Sequence, residues 1–114
     1  MAFTIKQNDR RPSFVVILKD NFGEEDEATV DLTSATSAVF NMRTQAGTAL
    51  KVNRGSATID SPASNGQVTY AWGTADTNTV GDFDAEIAIV WSDGKEETWP
   101  NDSYWTVTIV DDLA

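Results

Sequence analysis

The sequence predicts an all-β domain, an antiparallel β-sandwich of about seven to nine short strands, with a small β-barrel as the alternative architecture. Three observations carry this expectation. Apolar residues alternate with polar ones at period two along most of the chain, and turn residues recur at short intervals. No stretch shows the 3.6-residue period of an amphipathic helix. The 114 residues, 40% hydrophobic and 23% charged, suffice for a single domain spanning 1–114 with one core.

The elements follow in order. Phe3 and Ile5 alternate with Thr4 and Lys6 in a first strand, closed by a turn at Arg10-Arg11-Pro12. Ser13–Asp20 is apolar on both faces, with Phe14, Val16 and Leu18 against Val15 and Ile17, which predicts a central strand covered on both sides. Asn21-Phe22-Gly23 and the run Glu24-Glu25-Asp26-Glu27 read as a solvated loop, because four adjacent carboxylates repel one another. Val30 and Leu32 re-enter the core, and Ala38, Phe40 and Met42 then alternate with Val39, Asn41 and Arg43. Ala46-Gly47 turns the chain into a short strand at Leu50 and Val52, and Asn53-Arg54-Gly55 turns it again into Ala57-Thr58-Ile59. Ser61-Pro62 and Asn65-Gly66 bracket a loop before Val68, Tyr70 and Trp72. Asp82–Trp91 is the clearest strand, with Phe83, Ala85, Ile87, Ile89 and Trp91 on one face and Asp82, Asp84 and Glu86 on the other. Asp93-Gly94 predicts a two-residue hairpin loop, and Trp105, Val107 and Ile109 close the chain.

Composition narrows function. The chain has no Cys and no His, which removes disulfides, the usual zinc sites, thiol nucleophiles and every Ser-His-Asp or Cys-His arrangement. Neither a catalytic residue nor a metal or other cofactor is expected. Eight Lys and Arg stand against 18 Asp and Glu, for a net charge of −10. Residues 55–114 hold one basic side chain, Lys95, and eleven acidic ones, so that half carries the whole imbalance. Such a surface is repelled by nucleic acid and by anionic membranes, and neither is an expected partner. The N-terminus lacks the apolar segment of a signal peptide, and no apolar run is long enough to span a bilayer, which points to synthesis in a cytoplasm.

Asp82, Asp84 and Glu86 share one face of one strand at a spacing of about 7 Å. Neighbours on a strand point the same way, so a solvated acidic face is expected rather than a catalytic pair or a calcium loop. Of the four tryptophans, Trp72 and Trp105 fall on inward phases. A two-residue loop at Asp93-Gly94 would set Ala88 opposite Trp99 and place that indole outward beside Glu86, Ala88 and Val90. The candidate interface is therefore Trp99 and Tyr104 with Val90, Ala88, Glu86, Asp84 and Asp82. Simple cross-strand packing and a ligand platform are the alternative roles for Trp99, and a three-residue loop would turn it inside. Glu24, Glu25, Asp26 and Glu27 form a candidate docking loop for a basic surface. Uncovered sheet edges would also be templates for pairing between subunits.

One further pattern lies in the order of short motifs. These are Phe3-Thr4-Ile5-Lys6-Gln7-Asn8-Asp9, Asp31-Leu32-Thr33-Ser34-Ala35 leading into Phe40-Asn41-Met42-Arg43, Tyr70-Ala71-Trp72, Asp76-Thr77 and Gly81-Asp82-Phe83-Asp84-Ala85-Glu86. After them come Trp91-Ser92-Asp93-Gly94-Lys95, Thr98-Trp99-Pro100-Asn101-Asp102 and Tyr104-Trp105-Thr106-Val107. In that order the chain resembles the N-terminal domain of the tailed-phage baseplate upper protein family, and short virion proteins sharing that immunoglobulin-like domain. The resemblance implies an immunoglobulin-like β-sandwich and a non-enzymatic structural role in a virion, as an adaptor, baseplate, fibre-base, neck or head-decoration protein. It implies other virion proteins as partners, a symmetric homo-oligomer, and residence in the particle after synthesis in the host bacterial cytoplasm. Asp76-Thr77 with Phe83 resembles the tyrosine corner of such sandwiches, with Phe lacking the corner's hydroxyl. Receptor-binding relatives carry further segments after this domain, so the expectation at Ala114 is an attachment half without a recognition half. A carbohydrate- or host-surface-binding module using Trp99 and Tyr104 is the alternative function. A carboxylate hydrolase would need two acids opposed across a cleft, of which the sequence gives no sign.

Overall fold

The strand with the cleanest alternation is the centre of the structure. In the computed structural model, which describes residues 2–20, 28–100 and 103–113, an 11-residue strand runs from Gly81 to Trp91. In chain order the strands are β1 (Ala2–Lys6), β2 (Phe14–Ile17), β3 (Lys19–Asp20), β4 (Ala28–Thr29), β5 (Ala35–Thr44), β6 (Leu50–Ile59), β7 (Gln67–Tyr70), β8 (Gly81–Trp91), β9 (Glu96–Trp99) and β10 (Trp105–Val110). One edge of β8 pairs with β5. The other is shared by β10, opposite Gly81–Ala85, and β9, opposite Ile87–Val90.

The strand order is β1-β10-β8-β5-β6-β7-β2, with β9 beside β8, and β3 and β4 form a separate two-stranded ribbon. The protein is all-β with a mixed sheet. Among the described residues the helical element is a single 3-10 turn, Ala63–Asn65. Among these residues no helix is long and apolar enough to cross a membrane. The expectation of a purely antiparallel arrangement is corrected at one place, where β1 runs parallel to β10. Parallel neighbours need a long connection, and here nearly the whole chain supplies it.

The core lies against the inward faces. Phe83, Ala85, Ile87 and Ile89 of β8 are buried, as are Phe40 and Met42 of β5, and Val107 and Ile109 of β10. The two strands at the ends of the order meet through this core: the rings of Phe3 on β1 and Phe14 on β2 pack edge-on at 5.5 Å. Phe40 stacks on Tyr70 at 4.4 Å, and Trp72 stands edge-on to both. Gly55, opposite Phe40 in the β5–β6 pairing, leaves room for the Tyr70 ring. A Cβ there would lie 2.8 Å from Tyr70 Cε1. The Tyr70 hydroxyl donates to Asp76 Oδ2, which also accepts the Gly73 N–H. This corner thus takes its aromatic hydroxyl from Tyr70, while Phe83 packs inward at the start of β8.

Two sequence expectations change. Asn53-Arg54-Gly55 is not a turn between strands but lies within the continuous β6. Asn53 and Arg54 together oppose the single residue Asn41, a β-bulge between the pairs Phe40–Gly55 and Met42–Val52. Asn41 Oδ1 accepts the Arg54 N–H at 2.7 Å, the donor the bulge takes out of the ladder. The second change concerns Ser13–Asp20. It breaks at Leu18, and β2 is an edge strand, with Val15 and Ile17 45% and 49% exposed. Apolar residues on both faces do not show which face another layer covers, and here the outward pair is left open.

Candidate functional site

The outward side chains of β8 lie on a surface continued by β5 and β10. Register sets Arg43 opposite Asp84, Asn41 opposite Glu86 and Val39 opposite Ala88. On the other side Thr108 faces Asp82 and Thr106 faces Asp84. Thr108 Oγ1 donates to Asp82 Oδ1 at 2.8 Å, and Gln45 Nε2 donates to Asp84 Oδ1 at 3.1 Å. Asp82, Asp84 and Glu86 therefore stand side by side on one face, a geometry that presents charge to a partner rather than closing two acids around a substrate.

Arg43 gives this face its shape. Its Cζ lies 5.1 Å from the centroid of the Tyr104 ring, and Nη2 donates to the Tyr104 hydroxyl at 3.4 Å. The guanidinium so spans from β5 over β8 to the segment entering β10. Its Nε is enclosed without a hydrogen-bond partner. Asn41, Arg43, Leu50, Asp84, Glu86 and Tyr104 border a cleft of about 110 Å³. Leu50 and Tyr104 are both about half exposed at its rim. An arginine held on a tyrosine, flanked by a leucine and two carboxylates, has the composition of an anchoring patch in a protein–protein interface. Beside it Arg54 of β6 pairs with Glu96 of β9 at 3.0 Å, with β5 and β8 between the two strands, and both side chains are about half exposed. Such a pair contributes little stability.

Of the residues expected at the interface, Asp84, Glu86 and Tyr104 meet at this cleft, and Asp82 lies exposed toward the β10 end. Val90 is half-buried. Ala88 is buried, because its small side chain sits low between Val39 of β5 and Thr98 of β9.

Trp99 is corrected outright: it is 3% exposed and belongs to the core. The reason is the hairpin register. Trp99 pairs with Ile87 and Glu97 with Ile89, one residue away from the register of a two-residue loop. The loop holds three residues, Ser92-Asp93-Gly94. The Trp91 N–H bonds the Lys95 carbonyl, and the Gly94 N–H bonds the Trp91 carbonyl. Gly94 has φ +85°, the left-handed residue that follows a type I turn in such loops. A one-residue slip exchanges the faces of a strand, so Trp99 turns in against Trp91, their rings 6.5 Å apart.

The docking-loop residues Glu24, Glu25, Asp26 and Glu27 lie outside the described residues. Among the described residues no three acidic side chains gather in a metal-binding group. Arg43, Asn41 and Leu50 are the site residues that sequence reasoning missed. The alternation around Met42 already placed Asn41 and Arg43 outward. That β5 lies beside β8 comes from pairing residues 39 to 56 positions apart, which no local pattern states.

No protein-family model matches this sequence, and a search of curated proteins finds no match either.

Proposed function

We propose that this protein is a non-enzymatic structural piece of a tailed-phage virion, an immunoglobulin-like β-sandwich that works through protein–protein contacts. The observation that carries the assembly reading is the Arg43–Tyr104 patch. An aromatic ring and a leucine stand about half exposed around an arginine whose orientation is already held, so little side-chain freedom is lost when a partner covers them. The virion setting rests on the family resemblance of the ordered motifs, with other virion proteins as partners, a symmetric homo-oligomer as the assembled form and the particle as the location. The test is mass spectrometry and cryo-microscopy of purified particles of the source phage, with wild-type and Tyr104→Ala chains. Wild type is expected in stoichiometric copy number, and Tyr104→Ala is expected to fold yet be depleted. Absence of the wild-type chain from particles refutes the proposal.

A second reading is a carbohydrate-binding module. The half-exposed Tyr104 ring, bordered by the hydrogen-bonding groups of Asn41, Asp84 and Glu86, favours it as a platform for a sugar. Glycan-array binding abolished by Tyr104→Ala supports this reading, and an array without signal counts against it.

A further inference from the structure

The connection between β1 and β2 carries two adjacent arginines on a segment that the core holds in place. The Asn8 N–H donates to the Thr77 carbonyl at 2.9 Å, and Thr77, fully buried, donates its hydroxyl to the Asp9 carbonyl at 2.7 Å. Trp72 fixes the next stretch from two sides. Its carbonyl accepts Arg10 Nε at 3.3 Å, and its indole Nε1 donates to the Pro12 carbonyl at 3.0 Å. That tryptophan is 2% exposed and stands edge-on to Phe14, Phe40 and Tyr70, so the anchors belong to the aromatic core. Arg10 and Arg11 themselves are exposed, and with Ser13, Ala71 and Trp72 they line an open cleft of about 450 Å³.

The charges in this cleft are unanswered. Acidic side chains outnumber basic ones 18 to 8 in the sequence. Yet among the described residues the ion pair is Arg54 with Glu96, and no described carboxylate reaches salt-bridge distance of Arg10 or Arg11. The Arg11 guanidinium has no hydrogen-bond partner among them either. Arg10 spends its Nε–H on the Trp72 carbonyl and keeps the four N–H donors of its two terminal nitrogens. Two like charges on one cleft repel, and an anion seated there relieves both. Because the segment is already ordered, little backbone freedom is lost on binding.

We infer that this cleft takes an acidic peptide segment of another protein, through the carboxylates of two Asp or Glu side chains, with Arg10 and Arg11 as the recognising groups. A guanidinium fork matches a planar carboxylate in two parallel hydrogen bonds. A cleft open along one side admits side chains presented by a passing chain. Phosphate sites commonly add backbone N–H donors, and Pro12, at the centre of this segment, has none to give. A nucleic acid, as a polyanion, is repelled by the net charge of −10. The inference goes beyond the assembly reading and does not depend on residence in a virion.

The probe is a capped pentapeptide in which two glutamates alternate with glycines, and the same peptide with glutamines is the control. Proton–nitrogen NMR of the whole chain, at about 20 mM NaCl where screening is weak, follows the side-chain Nε–H signals of Arg10 and Arg11. They are expected to shift saturably with a Kd on the order of 1 mM, weakened about fivefold at about 200 mM NaCl. Arg11→Gln breaks no bond of the fold and is expected to raise Kd about tenfold, read from the Arg10 signal, with an unchanged circular dichroism spectrum. Should that variant not fold, Arg11→Lys keeps the charge, loses the fork and is expected to raise Kd about threefold. Lys95→Gln removes the same charge from the exposed Asp93-Gly94 hairpin and is expected to stay within about twofold of wild type, which separates this cleft from a general effect of net charge. Inorganic phosphate is expected to bind more weakly than the glutamate peptide. The inference is overturned by the absence of a saturable shift, by a glutamine peptide that binds as well, by equal Kd values in Arg11→Gln and Lys95→Gln, or by tighter binding of phosphate.

Discussion

Replacing Gly55 by alanine sets two opposed effects against each other at the point where β6 passes under the aromatic core. The added Cβ would sit 2.8 Å from Tyr70 Cε1, 2.8 Å from Val52 Cγ1 and 3.0 Å from the Tyr70 hydroxyl oxygen. The Tyr70 ring has no route of retreat, because Phe40 is stacked on it at 4.4 Å, Trp72 stands edge-on at 5.5 Å and its hydroxyl is bonded to Asp76. Alanine restricts the unfolded chain and suits a strand better than glycine, a gain of about 0.5–1 kcal/mol. Overpacking a core with no slack costs about 1–3 kcal/mol. The cost wins, and the net loss is about 1–2 kcal/mol. For a domain of this size that lowers Tm by about 4–8 °C, measured by calorimetry or a circular dichroism melt. Val52→Ala removes one of the three contacts, so a double-mutant cycle with Gly55→Ala is expected to show a favourable coupling of about 0.5–1 kcal/mol. A Gly55→Ala protein melting at or above the wild-type temperature would mean the Tyr70 ring does not lie over Gly55, and the account of this corner would fail.

Burial, with Asp76 next to the hydroxyl, raises the Tyr70 pKa well above the ordinary 10 of tyrosine. The unfolded chain therefore loses this proton first, and stability present below pH 10 is lost as pH rises beyond it. Tyr70→Phe is expected to flatten the alkaline fall in Tm, and a wild-type phenol that titrates normally in the folded protein refutes the assignment. The Thr33 hydroxyl and then the Thr33 N–H bond the Asp31 carboxylate and hold its pKa below 3.8. Their contribution is present above the unfolded pKa and fades as pH falls through the folded one. Asp31→Asn should accordingly melt below wild type at pH 7 and level with it at about pH 2. Trp99→Ala is expected to cost about 3–5 kcal/mol as a core truncation, whereas Tyr104→Ala on the surface stays within about 0.5 kcal/mol. Equal melting temperatures for those two variants would return Trp99 to the surface.

How far the fold was legible depends on how local its causes are. The alternation in Asp82–Trp91 survives almost residue for residue, because a strand with one face in the core needs an apolar side chain at every second position. The hairpin at Asp93-Gly94 was equally legible as a turn, but its register was not. An Asp-Gly pair serves as both residues of a two-residue loop or as the last two of a three-residue one, with Gly at positive φ in either case. That single ambiguity decided the face of Trp99. In Ser13–Asp20 the pattern was read correctly as apolar on both sides, and the inference from it failed, because Val15 and Ile17 are open. Nothing local distinguishes a strand covered by a second layer from one left for a partner.

The two departures, different in cause, bear together on function. The inward shift of Trp99 draws the largest apolar group of the expected interface into the core, and what remains on that face is charged, tied down and only modestly apolar: Arg43 on Tyr104, Leu50, and the row Asp82, Asp84 and Glu86. Open apolar side chains lie instead on β2, at the end of the strand order, in Val15 and Ile17. An acidic protein with one polar anchoring face and one open apolar edge has two chemically different contacts to offer. Under the proposed assembly role, a face that sets Asp82, Asp84 and Glu86 in a row would favour a basic surface over a second copy of itself.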